Sequence, residues 1–314
     1  MADREKRTRQ VVIWTAGVAV VALVVAGLLG WATGAYRIGG VGAAGRVTVN
    51  EHKSFPTGTL KQLKINSVSE AIQLVESADS SFGVHFTGTV STSNTSAVPR
   101  LEAEVDGNAL VVKIVHRPGV GIGFQSADLQ LQVAVPKSYA GSIEVASVSG
   151  RIESAPHAYE TLSARTTSGS LSLDSMTASS VSLHSVSGEV KADNLRTEVL
   201  QADTTSGRIQ IATNAPTMSL HTVSGEINVA STSAPEKVEA GSTSGRVVLS
   251  LPADSQFTLA ARSTSGQVRC DFPITVTPSG GSGRNELSGK VGTGGGEVGI
   301  RTTSGAITVI KSSS

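Results

Sequence analysis

Two histidines and an aspartate recur at one position of an internal repeat. His184, Asp203 and His221 follow one another at steps of 19 and 18 residues, and each stands four residues before a glycine, Gly188, Gly207 and Gly225. If successive copies stack as neighbouring strands, the three side chains stand ~5 Å apart on one face, near enough to share a divalent metal when they bend together. Arg165, Gly241 and Arg262 hold the same position in flanking copies and supply no fourth ligand. An ordinary solvated face with a His-Asp contact is therefore the competing reading, and no cofactor is expected. Serine is the second candidate. Ser149, Ser168, Ser187, Ser206, Ser224, Ser244, Ser265 and Ser304 each directly precede a repeat glycine, but a nucleophilic serine needs a base beside it and none recurs with them. Eight equivalent copies read instead as a structural ladder at a corner, facing inward and bonding nearby backbone.

The elements that would position these residues follow from the repeat itself. A hydroxyl residue, Val or Thr, then Ser-Gly occurs eight times, ending at Gly150, Gly169, Gly188, Gly207, Gly225, Gly245, Gly266 and Gly305, with steps of 19, 19, 19, 18, 20, 21 and 39 residues. A period near 20 marks a solenoid. Positions 7 and 5 before the glycine are apolar or alanine, as in Val181 and Leu183, and positions 2 and 4 after it are too, as in Ile209 and Ile211. Such alternation predicts a strand, a Ser-Gly bend, a second strand and a looser return at places like Asp193-Asn194. Inward parity changes from odd to even offsets across the glycine, so the chain turns a corner there, and the freedom of glycine at positive φ accounts for the column.

Two outward columns support stacking. Directly after the glycine the chain reads Arg151, Ser170, Glu189, Arg208, Glu226, Arg246 and Gln267, so signs alternate along the middle of the array. In register, each neighbouring pair contributes a few tenths of a kcal/mol. Two residues before the glycine, Val148, Thr167, Val186, Thr205, Val223, Thr243, Thr264 and Thr303 form a β-branched stripe, which strand propensity alone explains.

Composition sets the bounds. The chain has 314 residues, 4% aromatics, 34 glycines and a net charge of +1, enough for a thin aliphatic core and without a basic footprint for nucleic acid. Its single cysteine, Cys270, at an inward offset, excludes a disulfide framework and reads as a packed thiol.

Residues 11–36 carry no charge and are dominated by Val, Ala, Leu and Gly, which is long enough for one transmembrane helix. Arg4, Lys6, Arg7 and Arg9 precede it, so residues 1–10 are expected as a cytoplasmic tail and everything after Arg37 outside. A cleaved signal peptide is the rival, since Ala32-Thr33-Gly34-Ala35 offers small residues, although signal cores run only about 7 to 15 residues. Ala22, Ala26, Gly30 and Gly34 share one helix stripe, a face that suits a homodimer, though the abundance of Ala and Gly in the span explains it equally.

Beyond the span, residues 37–58 read as a linker, 59–140 as less regular β-strand opening layers, and 141–314 as the Ser-Gly repeat solenoid. Ala71 to Glu76 reads as a helical turn, and Leu287-Ser288-Gly289 as a degenerate copy filling the long gap. Gly289-Lys290 is not a phosphate loop, because Arg284 and Val291 break the pattern at both ends.

The span, the segment Leu101 to Val112, the strand Leu131 to Pro136 and the Ser-Gly repeats together resemble the bacterial putative-adhesin family (domain of unknown function 4097), whose members include the LiaG-like envelope proteins. The resemblance covers Leu60 to Ile310 and implies an extracytoplasmic β-solenoid without catalytic residues to transfer. The expected fold is thus all-β, a parallel β-solenoid after one N-terminal transmembrane helix. The expected role is a non-enzymatic, adhesin-like surface scaffold or binding module at the cell membrane, with a wall polymer or envelope protein as partner. An accessory in envelope-stress signalling and a carbohydrate-active enzyme are the alternatives.

Overall fold

The computed structural model describes residues 45–92, 98–116, 124–276 and 283–312, so the span, its small-residue stripe and the cytoplasmic tail lie outside the described residues. Within them are twenty-four strands and no helix. Each repeat folds as its alternation requires. Met176–Ser185 runs up to a corner at Gly188 and Val190–Thr204 leaves it, burying Val181, Leu183, Val190 and Ala192 while their neighbours stay outside. Strands before the corners form one parallel sheet, the leading sheet, and strands after them a second, the trailing sheet. A thin aliphatic core lies between, continuous from Val49 to Val309. The return bends at Asn194 and Ser175, which both adopt φ of 53°. Asn and Ser accept that conformation more readily than a β-branched residue would.

Register is direct through the middle of the array: Leu162, Val181, Leu200, Met218 and Val238 pair in succession along the leading sheet. A one-residue slip would turn that whole set outward, so the core fixes the register.

Stacking order departs from chain order at both ends. The Gly305 layer, Gly296–Thr302 and Ile307–Ser312, lies between the Gly245 layer and the Gly266 layer. Likewise, Gln62–Asn66 and Ala71–Ser77 form a layer between Ala109–Val115 with Phe124–Pro136 on one side and the Gly150 layer on the other. Antiparallel strands close the ends. Gly45–Pro56 pairs with Ser81–Thr92, which pairs with Phe124–Pro136, and at the far end Glu286–Val291 runs antiparallel to Phe257–Ser263. The edge strand Gly45–Pro56 is twelve residues long, and its polar and charged side chains and terminal proline blunt it against pairing with another chain.

Three expectations are corrected. The stretch 37–58 holds the strand Gly45–Pro56, in which only Val49 is fully buried; that polarity is why it resembles a linker. Ala71–Ser77 is a strand rather than a helical turn, with Ile72 and Leu74 both buried on the period of two. Leu287-Ser288-Gly289 is no repeat corner but part of the antiparallel closing strand, and the long gap is filled by interleaving.

Candidate functional site

The corners show what the repeat is for. At each, the N–H of the serine before the glycine donates to the carbonyl two residues before the corner residue of an adjacent layer, as from Ser187 to Thr167 at 2.8 Å and from Ser206 to Val186 at 2.9 Å. This draws the bends so close that a Cβ on Gly169, Gly188, Gly207, Gly225 or Gly245 would overlap the carbonyl oxygen of the neighbouring corner glycine. None of the eight repeat glycines has positive φ. The column is glycine because of this close approach, which corrects the conformational explanation.

The inward hydroxyls also differ from expectation. It is the Ser or Thr three residues before the glycine that is buried, and in all eight copies its Oγ accepts the glycine N–H: Ser147, Thr166, Ser185, Thr204, Thr222, Ser242, Ser263 and Thr302, at 2.7–3.0 Å. A buried N–H at a bend has no ladder partner, so this bond satisfies it. The serines next to the glycines, Ser149 through Ser304, are exposed on the rim instead. Val148, Thr167 and Val186 beside them are half-buried, and the stripe from Thr205 onward is exposed.

A ninth corner escaped the sequence reading. Ser67-Val68-Ser69-Glu70 is the same motif with glutamate for glycine, and the alternating Ile72 and Leu74 after it were the available signal. Glu70 is buried; its carboxylate accepts from Ser67 Oγ at 2.5 Å and from the Ser69 N–H at 3.1 Å, and lies 2.9 Å from Nε2 of His116. Burial alone would raise its pKa, but the His116 contact, the Ser67 hydrogen bond and the His116 charge outweigh it and bring the value down to about 2. Another buried polar group, at the return side of its layer, is His157, whose Nε2 donates to the Tyr139 carbonyl at 2.8 Å while its ring lies 4.5 Å from that of Tyr159.

The predicted metal column is assembled as expected in backbone terms: His184 pairs with Asp203, and Asp203 with His221. Its side chains do not converge. His221 Nδ1 lies 3.6 Å from Asp203 Oδ1, while Asp203 Oδ2 accepts from Gln201 at 2.8 Å. Burial lowers the His184 pKa, against the opposing pull of Asp203, with Arg165 lowering it further. Among the described residues no group of three His, Cys, Asp or Glu side chains is placed to hold a metal ion. Gly241, next in the column, leaves the room into which the His221 ring lies. On the other side of the corner Arg208 stands 3.9 Å from both Glu189 and Glu226, so the alternating line holds for those three; among the described residues Arg246 has no ion-pair partner. Cys270 is half-buried against the core, and burial raises its pKa.

The described surface includes depressions of ≈ 240 Å³ around Asn194, Arg196 and Asn214 and of ≈ 350 Å³ around Lys61, Tyr139 and Glu160. Neither touches the His184 column.

Similar solved structures include a putative adhesin from Bacteroides fragilis, 14% identical, covering 83% of this chain and 97% of that chain at a TM-score of 0.40. Another, a putative adhesin from Parabacteroides distasonis, is 11% identical and covers 84% and 97% at a TM-score of 0.42. A third, from Parabacteroides merdae, is 10% identical and covers 84% and 96% at 0.41. No curated protein matches the chain. Residues 60–310 match the Toastrack DUF4097 family, and the chain belongs to that family.

Proposed function

We propose that the chain is a single-pass envelope protein whose solenoid stands outside the membrane as a non-enzymatic scaffold or binding module. One observation carries this reading: the repeat uses its hydroxyls for structure. The eight inward Ser and Thr side chains each accept a glycine N–H, and among the described residues none of the eight rim serines beside those glycines is hydrogen-bonded to an imidazole or carboxylate that would activate it; Ser69, at the ninth corner, donates to the Glu70 carboxylate at 3.3 Å, but that carboxylate is also held by Ser67 and His116. What remains is a rod with long regular faces, suited to a wall polymer or another envelope protein. The uncharged stretch 11–36 and the basic residues before it support the anchor and its orientation.

Tags at the two ends test the topology. Protease added to intact cells should remove a C-terminal tag and spare an N-terminal one, and carbonate should leave the protein in the membrane; protection of the C-terminal tag, or release by carbonate, overturns the reading. Incubation with purified wall glycan should yield no new reducing ends. Their appearance, and their loss in Asp203→Ala, would make the protein an enzyme.

A further inference from the structure

We propose that the last corners of the solenoid form an arginine site for a phosphate-bearing envelope polymer. Arg301 and Arg262, each four residues before its glycine, are register neighbours on adjacent strands of the leading sheet. Across the corner, the column directly after the glycine runs Arg246, Ala306, Gln267 and then Arg284. The carbonyl of Arg284 accepts the Val268 N–H at 2.9 Å, so the residue stands where a further layer would place that column. Arg269 lies two residues beyond Gln267 on the same outer face. Five guanidinium groups thus flank a crest of exposed hydroxyls that includes Ser304 and Ser265.

All five arginines are exposed and, among the described residues, none makes an ion pair within 4 Å, whereas Arg208 in mid-rod sits between two glutamates. Glu286 is the acidic residue in register with the group, opposite Arg262. The asymmetry extends along the rod: residues 241–312 hold seven basic and four acidic residues, against fourteen and nineteen in residues 45–240. That all five are arginine points to phosphate in particular, because the planar guanidinium binds its oxygens in pairs and carries less hydration than lysine.

Position selects polymer over lipid. The trailing sheet runs through twelve strands from Gly45–Pro56 to Val268–Cys270, roughly 50 Å, and the arginine corners lie on its last three. Resting on the anchored reading above, the chain leaves the bilayer at the Gly45 end, and the site is displayed at the opposite tip.

The test uses the full chain in nanodiscs of neutral lipid, titrated with long-chain inorganic polyphosphate and with uncharged dextran. Polyphosphate should bind saturably and more weakly as salt rises, dextran not at all. Arg262→Gln with Arg301→Gln should weaken binding roughly tenfold or more, whereas Lys61→Gln with Lys113→Gln, which removes equal charge at the other end, should change it by less than about twofold. Absence of polyphosphate binding, or equal loss in the two double variants, overturns the proposal. So does co-flotation with phosphatidylglycerol vesicles without polyphosphate binding, which would make the bilayer the occupant. The titration needs no cell, so its failure leaves the topology reading standing, and failure of the protease assay leaves the titration result intact.

Discussion

A Cβ on Gly188 would overlap the carbonyl oxygen of Gly169, the glycine at the same corner one layer away. Backbone holds both atoms, so neither can turn aside as a side chain would. Gly188→Ala should therefore destabilise the protein by about 3 kcal/mol or more, measured by denaturant unfolding. Gly241→Ala is the comparison: its Cβ would meet the half-exposed His221 ring at 3.2 Å, which can swing away, and the loss should stay under about 1 kcal/mol. Equal losses at the two positions would refute the packing argument.

Ser185 and Ser187 share a corner but not a role. Ser185 is fully buried and accepts the Gly188 N–H at 2.8 Å, so Ser185→Ala leaves a buried donor unpaired and should cost about 1–3 kcal/mol. Ser187→Ala, on the exposed rim, should stay within about 0.5 kcal/mol. The two melting curves decide between this division and the inward ladder that parity alone suggests.

Glu70 makes the root of the rod sensitive to acid. Its folded pKa of about 2 lies below the ordinary 4.5, so the stability it contributes is complete above the ordinary value and is lost as pH falls from 4.5 towards 2. Glu70→Gln cannot take part in that titration. The variant should be less stable than the wild type at neutral pH, and the gap should close as the pH approaches 2. A gap that is constant across the range would assign the effect to shape rather than charge.

Chelation should leave the melting temperature unchanged, because Asp203 already divides its two oxygens between His221 and Gln201. A fall on adding EDTA, restored by zinc and absent in His184→Ala, would show that the column holds a metal after all.

The repeat was legible because its two signals, the alternation around residues such as Leu183 and Ile209 and the constant glycine, arise from forces that act at every layer. The role of each hydroxyl was not. Ser147 and Ser149 are the same residue type two positions apart, and only the bend geometry decides which one turns inward. Stacking order was hidden for a related reason: the corners at Gly245, Gly266 and Gly305 are chemically alike, so nothing local marks the last as the neighbour of the first. The Glu70 corner is masked in the sequence because it lacks the repeat glycine, whose reason lapses where no further Ser-Gly bend lies beneath. His184, Asp203 and His221 were rightly aligned by spacing, but rotamers and the presence of Gln201 determine whether aligned ligands converge.

The interleaving near the C-terminus constrains how the molecule can be assembled. A chain delivered N-terminus first can close its coils in turn as far as Gly245, but the coil written next must wait at a distance of one vacancy until Gly296–Thr302 and Ile307–Ser312 slide in. Residues 296–312 act as a keystone: synthesis interrupted before them leaves two naked sheet edges facing each other, and the stack closes only when they arrive.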